Sequence, residues 1–113
     1  MHEMSIAESV LGIVEDTARR EGFTRVKEVR LEIGRLAAVE IEALRFCFDA
    51  VVRGSLAEGA ALAIDETPGT AWCFGCSRSV PVEARGDLCP ACGGARLQVN
   101  GGTEMRVKDL LGT

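Results

Sequence analysis

Apolar residues recur at helical spacing from the start of the chain. Ile6, Val10, Ile13, Val14 and Ala18 fall on one stripe, widened by Ala7 and Leu11, with Glu8, Glu15, Asp16, Arg19 and Arg20 on the polar face. This predicts an amphipathic helix from residue 3 to about 21, ended by Gly22. The period then drops to two. From Arg25 to Gly34, Val29, Leu31 and Ile33 alternate with Glu28, Arg30 and Glu32, the pattern of a strand with one buried face. A second helix fits Val39 to Arg53, with Ile41, Leu44, Phe48, Val51 and Val52 as its apolar stripe and Cys47 alongside. Leu62 and Ile64 mark a strand over Ala61 to Glu66, and alternation resumes over Arg96–Asn100 and Glu104–Asp109.

The stretch between these strands breaks both periods. Cys73-Phe74-Gly75-Cys76 and Cys89-Pro90-Ala91-Cys92 are two C-x-x-C pairs separated by 12 residues. Two cysteines three apart can grip an ion from one side, and a loop of about a dozen residues lets the second pair close a tetrahedron around Zn(II). Two alternatives compete. A Cys-Pro-Ala-Cys redox dithiol would open a helix inside a βαβ unit, which the pattern lacks. Two disulfides would suit a secreted chain, but the N-terminus has no signal-peptide pattern. With four cysteine ligands a zinc site is closed to water and substrate, so its expected role is structural, and metal binding is part of folding that segment.

The order helix, strand, helix, strand, zinc module, strand predicts an α+β fold. Two helices pack on a small three-stranded sheet, with a zinc-ribbon-like four-cysteine module inserted before the last strand returns. The expected domains are residues 1–68 plus 97–113, and residues 69–96 for zinc, with Pro68-Gly69 as a hinge. Twenty-eight residues bury little core alone, which is where a metal substitutes for hydrophobic burial.

Charge narrows the function. The chain of 113 residues has 17 acidic and 13 basic side chains, a formal charge of −4, and four thiolates with one Zn(II) would add about −2 more. The zinc segment offers only Arg78, Arg85 and Arg96 against Glu83 and Asp87. That is a thin footprint for a nucleic-acid-binding zinc ribbon, so no nucleic-acid partner is expected. The apolar runs are short, which predicts no membrane span and a cytoplasmic protein. No phosphate-cradling G-x-x-x-x-G-K-[ST] motif is present, and the single histidine, His2, allows no Ser-His-Asp or Cys-His constellation. The chain is therefore not expected to be an enzyme.

His2 is the remaining unusual residue. A lone histidine near a terminus is by default a solvated side chain. Here, though, the α-amine, the His2 backbone nitrogen and the imidazole can form adjacent chelate rings, with Glu3 supplying a further donor, a set that suits Ni(II) or Cu(II). Glu40 is read as an ordinary acid at a helix N-terminus, and Cys47 as a packed core thiol.

A chain that begins Met1-His2-Glu3 followed by Ser5 and Ile6 has a family likeness. It closes its first strand on Glu32-Ile33-Gly34, spaces its cysteines at 73, 76, 89 and 92, and carries Gly102-Thr103-Glu104-Met105-Arg106 late. It resembles, essentially end to end, the HypA/HybF nickel metallochaperones of hydrogenase maturation. The resemblance implies Ni(II) bound at His2 with Glu3 beside it, structural Zn(II) at Cys73, Cys76, Cys89 and Cys92, and an α/β nickel domain joined to a zinc domain. It also implies work with a HypB-type GTPase to deliver nickel to the large subunit of [NiFe] hydrogenase and, in some organisms, service to urease maturation proteins. The competing functions are a nucleic-acid-binding or adaptor zinc ribbon and a dithiol redox protein using Cys89 and Cys92.

Overall fold

The computed structural model describes residues 2–113. Helix α1 spans Glu3–Glu21 and buries Ala7, Val10, Val14 and Ala18. These residues lie three or four apart, so they stack on one face. Ile13 does not join them: it is 48% exposed, because the next residue, Val14, takes the inward position. Gly22 ends the helix in the left-handed conformation, φ 75°, and sends its N–H to the Ala18 carbonyl. Strand β1, Val26–Gly34, follows with Val29, Leu31 and Ile33 buried as the alternation predicts. Helix α2 covers Ile41–Val51, shorter than expected at both ends, since Glu40 is extended and Val52 already caps the helix. Leu44 and Phe48 form its buried stripe, and Cys47 is only half-buried.

Strands β2 (Ala61–Thr67), β3 (Gly69–Cys73), β4 (Arg78–Val82), β5 (Leu97–Gly101) and β6 (Met105–Gly112) complete the chain. They form two three-stranded sheets, ordered β2-β1-β6 and β4-β3-β5. The α+β fold with two helices and a four-cysteine module is as expected.

The chain divides into two compact units. The first comprises Met1–Leu31, Val39–Ile64 and Val107–Thr113. Here α1 and α2 pack on each other. The core consists of Ala7, Val10, Val14, Ala18, Val26, Val29, Leu31, Leu44, Phe48, Val52 and Ala57. The Arg45 guanidinium donates to the Leu62 carbonyl and that of Arg25 to the Glu58 carbonyl, so β2 and the turn before it are held by side chains as well. None of the helices among the described residues is long and apolar enough to cross a membrane.

The second unit comprises Glu32–Ala38 and Asp65–Arg106. The sequence boundary at residues 96 and 97 cuts through it. Strand β5 pairs antiparallel with β3, placing Val99 opposite Ala71 and Leu97 opposite Cys73, with an irregularity between Thr70 and Ala71. Leu36 packs with Ala71 and Val82 into a small core that Leu97 and Val99 border. Burial decides this arrangement: a five-residue strand with two apolar residues on one face goes where that face is covered.

Pro68-Gly69, expected as a hinge, leads into a tightly packed backbone junction. Gly34, Gly69 and Gly102 are all buried. A Cβ on Gly34 would lie 2.0 Å from the Gly102 carbonyl oxygen, and one on Gly102 would lie 2.5 Å from that of Pro68. The Gly34 N–H bonds the Glu104 carbonyl at 2.7 Å and the Leu36 N–H the Gly102 carbonyl at 2.7 Å. Glycine is required here because backbone meets backbone with no room for a side chain.

Candidate metal centres

The two C-x-x-C pairs fold into two turns of the same design. The Ser77 N–H bonds the Cys73 carbonyl at 2.8 Å, and the Gly93 N–H bonds the Cys89 carbonyl at 2.8 Å. Each turn has one residue at positive φ to bring the chain round, Ser77 at 55° and Gly93 at 73°. The Cys76 N–H points at the Cys73 sulfur at 3.4 Å, and the Ala91 and Cys92 N–H groups point at the Cys89 sulfur, each at 3.4 Å. Backbone donors are thus aimed at sulfurs that must carry negative charge. The first cysteine of each pair is buried, Cys73 and Cys89, and the second lies nearer solvent.

The four sulfurs lie within 4.8 Å of one another, and no other residue type joins the cluster among the described residues. Cys73 and Cys92 sulfurs are 3.7 Å apart and those of Cys76 and Cys89 are 3.8 Å apart. A tetrahedron with Zn–S bonds of about 2.3 Å has edges of about 3.8 Å, so the donor set fits Zn(II) in both chemistry and spacing. Small neighbours leave room for it: a Cβ added at Gly94 would sit 3.3 Å from the Cys92 sulfur. All five cysteines of the chain are free.

The thiols press on one another. Hydrogen bonds from the Cys92 and Ala91 backbone pull the Cys89 thiol down to about 6. The Cys92 side chain, burial and the other thiols push Cys76 up to about 12. One proton leaves easily and another leaves only when a cation compensates the crowded charge.

The other expected centre lies at the start of α1. His2 is exposed and forms the N-cap, with φ −92° and ψ 90°, and makes no side-chain capping bond. Its carbonyl accepts the Ile6 N–H at 3.1 Å. The α-amine counted among the donors belongs to Met1, which lies outside the described residues. Glu3 is anchored from afar: one of its carboxylate oxygens accepts the Glu40 N–H at 3.1 Å. That bond, with its own backbone N–H, holds the Glu3 carboxyl below the usual carboxylate range.

The starts of α1 and α2 therefore meet through Glu3 and Glu40, which sequence reasoning missed. A contact between residues so far apart along the chain leaves no local periodic trace. The only available signal was an acid at the start of each predicted helix. Cys47 stands outside the cysteine cluster, in α2 between exposed Phe46 and buried Phe48.

A family model described as HypA, hydrogenase/urease nickel incorporation, metallochaperone, matches residues 1–111. The chain belongs to the HypA family. HypA proteins are metallochaperones and maturation factors rather than enzymes. The hydrogenase maturation factor HypA of Azotobacter chroococcum mcd 1 is 62% identical over 110 residues, covering 97% of each chain. That of Rhodobacter capsulatus is 60% identical over 110 residues, again covering 97% of each. Among solved structures, the solution structure of the Ni metallochaperone HypA from Helicobacter pylori has a TM-score of 0.70 at 24% identity, covering 99% of this chain and 97% of the other. That likeness is one of fold. HypA membership fits a four-cysteine metal-binding group and a role in nickel incorporation for hydrogenase maturation.

Proposed function

We propose that the chain carries Ni(II) at its N-terminus, through His2 with Glu3 beside it, and hands it on for maturation of [NiFe] hydrogenase, while Cys73, Cys76, Cys89 and Cys92 hold a structural Zn(II). Nickel is the cargo of the first unit and zinc the resident ion of the second. Zinc bound there neutralises crowded thiolates and cross-links two turns. The observation that carries the nickel reading is His2 itself. The only histidine of the chain stands exposed at the start of α1, its side chain in no capping bond, next to a carboxylate fixed by Glu40. An open site with few protein donors can release its metal, as a closed four-cysteine site cannot.

The partners that fit are a HypB-type GTPase, since this chain has no phosphate-cradling motif of its own, the hydrogenase large subunit as recipient, and urease maturation proteins where urease is present. A cytoplasmic setting, in which thiols stay reduced, agrees with this reading.

The test is metal analysis of untagged protein before and after Ni(II) addition, on the parent and on His2→Ala. One zinc in both proteins, with one nickel only in the parent, is the expected result. Equal nickel in His2→Ala would falsify the N-terminal assignment. Nickel retention should fall as pH drops, because protonated imidazole and amine cannot coordinate.

A further inference from the structure

The sheet of the cysteine unit has two edges, and they are built differently. In the order β4-β3-β5, both β4 and β5 are outer strands. Strand β4 carries Pro81, opposite Thr70, and a proline on an edge has no N–H to offer an added strand. Strand β5 reads Leu97-Gln98-Val99-Asn100-Gly101, with no proline, no lysine and no charge. Edge strands left this plain are templates for another strand.

The register says which groups are on offer. The Phe74 N–H bonds the Arg96 carbonyl at 3.1 Å, and Trp72 lies opposite Gln98. In an antiparallel ladder alternate residues face the neighbour, so residues 96 and 98 turn their backbone towards β3 and Val99 turns its own outward. Leu97 offers its carbonyl, its N–H being bonded to the Ala95 carbonyl at 3.1 Å.

A cavity of about 110 Å³ is lined by Leu97 and Val99 of this strand, by Ala71, Val82 and Leu88, and by the charged Arg85 and Asp87. Leu88 is 58% exposed. In the turn that carries Arg85, one Asp87 carboxylate oxygen accepts the Glu83 and Ala84 N–H groups at 2.9 and 3.0 Å. The acids near the cavity are thereby committed, Asp87 to this turn and Glu83 to Arg35. Arg85 has no ion pair among the described residues.

We propose that the outer edge of β5 docks an extended segment of a partner polypeptide as a fourth strand, with an aliphatic side chain in the Leu88–Val99 cavity and an acidic side chain on Arg85. Backbone bonding at Val99 supplies affinity, and the cavity and cation select the segment, the usual division of labour in strand addition. This surface is separate from the nickel reading and does not depend on it.

The test pans nine-residue peptides displayed on phage against the zinc-loaded full chain, with Val99→Pro as counter-target, and titrates synthetic winners by fluorescence anisotropy. The expected winners alternate aliphatic residues and carry an acid. Val99→Pro and Leu88→Glu should each weaken binding at least tenfold with zinc content unchanged, and Arg85→Glu should weaken chiefly the acid-bearing peptides. Should Val99→Pro lose its zinc, Leu88→Glu, at an exposed position, serves as both counter-target and test. Absence of enrichment over the counter-target overturns the proposal. So do winners that bind parent and variants equally.

Discussion

The cysteine unit and the helical unit solve the problem of a small core in opposite ways. The helical unit buries large side chains, with Phe48, Leu31, Leu44, Val10 and Val14 almost wholly out of water. The cysteine unit buries Ile33, Leu36, Ala37, Ala71, Val80, Val82 and two cysteines, with no aromatic side chain among them, and adds four converging sulfurs and a junction of glycines. Hydrophobic burial is roughly proportional to area and tolerates adjustment. Metal ligation and backbone-to-backbone packing fail at a single atom. The two candidate metal positions differ in the same sense, one enclosed by four donors and the other exposed at a helix start.

That contrast can be broken most severely at a sulfur. Cys89→Ala should drop bound zinc from one per chain to none and unfold the cysteine unit, read by metal analysis and hydrogen exchange of β3 and β4, because a structural site is absent from the unfolded chain. Zinc retained at full occupancy would show that three sulfurs suffice.

Glycine substitutions come next and separate the units. Gly102→Ala meets the Pro68 carbonyl oxygen and sits at φ 84°, so it should cost about 1–3 kcal/mol from backbone conformation alone, before any clash. Gly12→Ala, in the middle of α1 with nothing within 4 Å of its Cβ, should instead stabilise by about 0.5–1 kcal/mol. Thermal melts of both read opposite signs, and equal shifts would remove the distinction drawn here.

The smallest expected effect is electrostatic. The Thr67 hydroxyl donates to Glu104 and, with backbone donors behind it, holds that carboxyl below its usual value of 4.5. A depressed folded-state value contributes stability that is present above 4.5 and is lost as pH falls through the lowered value. Glu104→Gln should lower stability by a constant amount above about pH 6, where a carboxyl is fully ionised, and the gap to the parent should close as pH falls through the lowered value, flattening that part of the acid limb.

Those tests also mark where local pattern ends and long-range contact begins. The helix over 3–21, the buried Val29, Leu31 and Ile33 and the spacing of the four cysteines were readable, because each is set by residues a few positions apart. The exposure of Ile13 was not, since two adjacent apolar residues compete for one inward direction and only the opposing surface decides. Nor was the allegiance of β5, whose alternation suits either sheet until Ala71 and Leu36 cover it. Glu3 could be singled out beside His2, but its hold on Glu40 could not, because it joins two helix starts that are distant in sequence.

Trp72 adds a practical consequence. It is the only tryptophan in a chain without tyrosine, it is partly exposed, and it adjoins Cys73. Intrinsic emission therefore comes from one indole in the sheet of the cysteine unit, and the helical unit has none. Zinc loading should report itself without any label. A nickel-dependent change in that emission would mean that an event at the dark end of the molecule had been felt at the bright one.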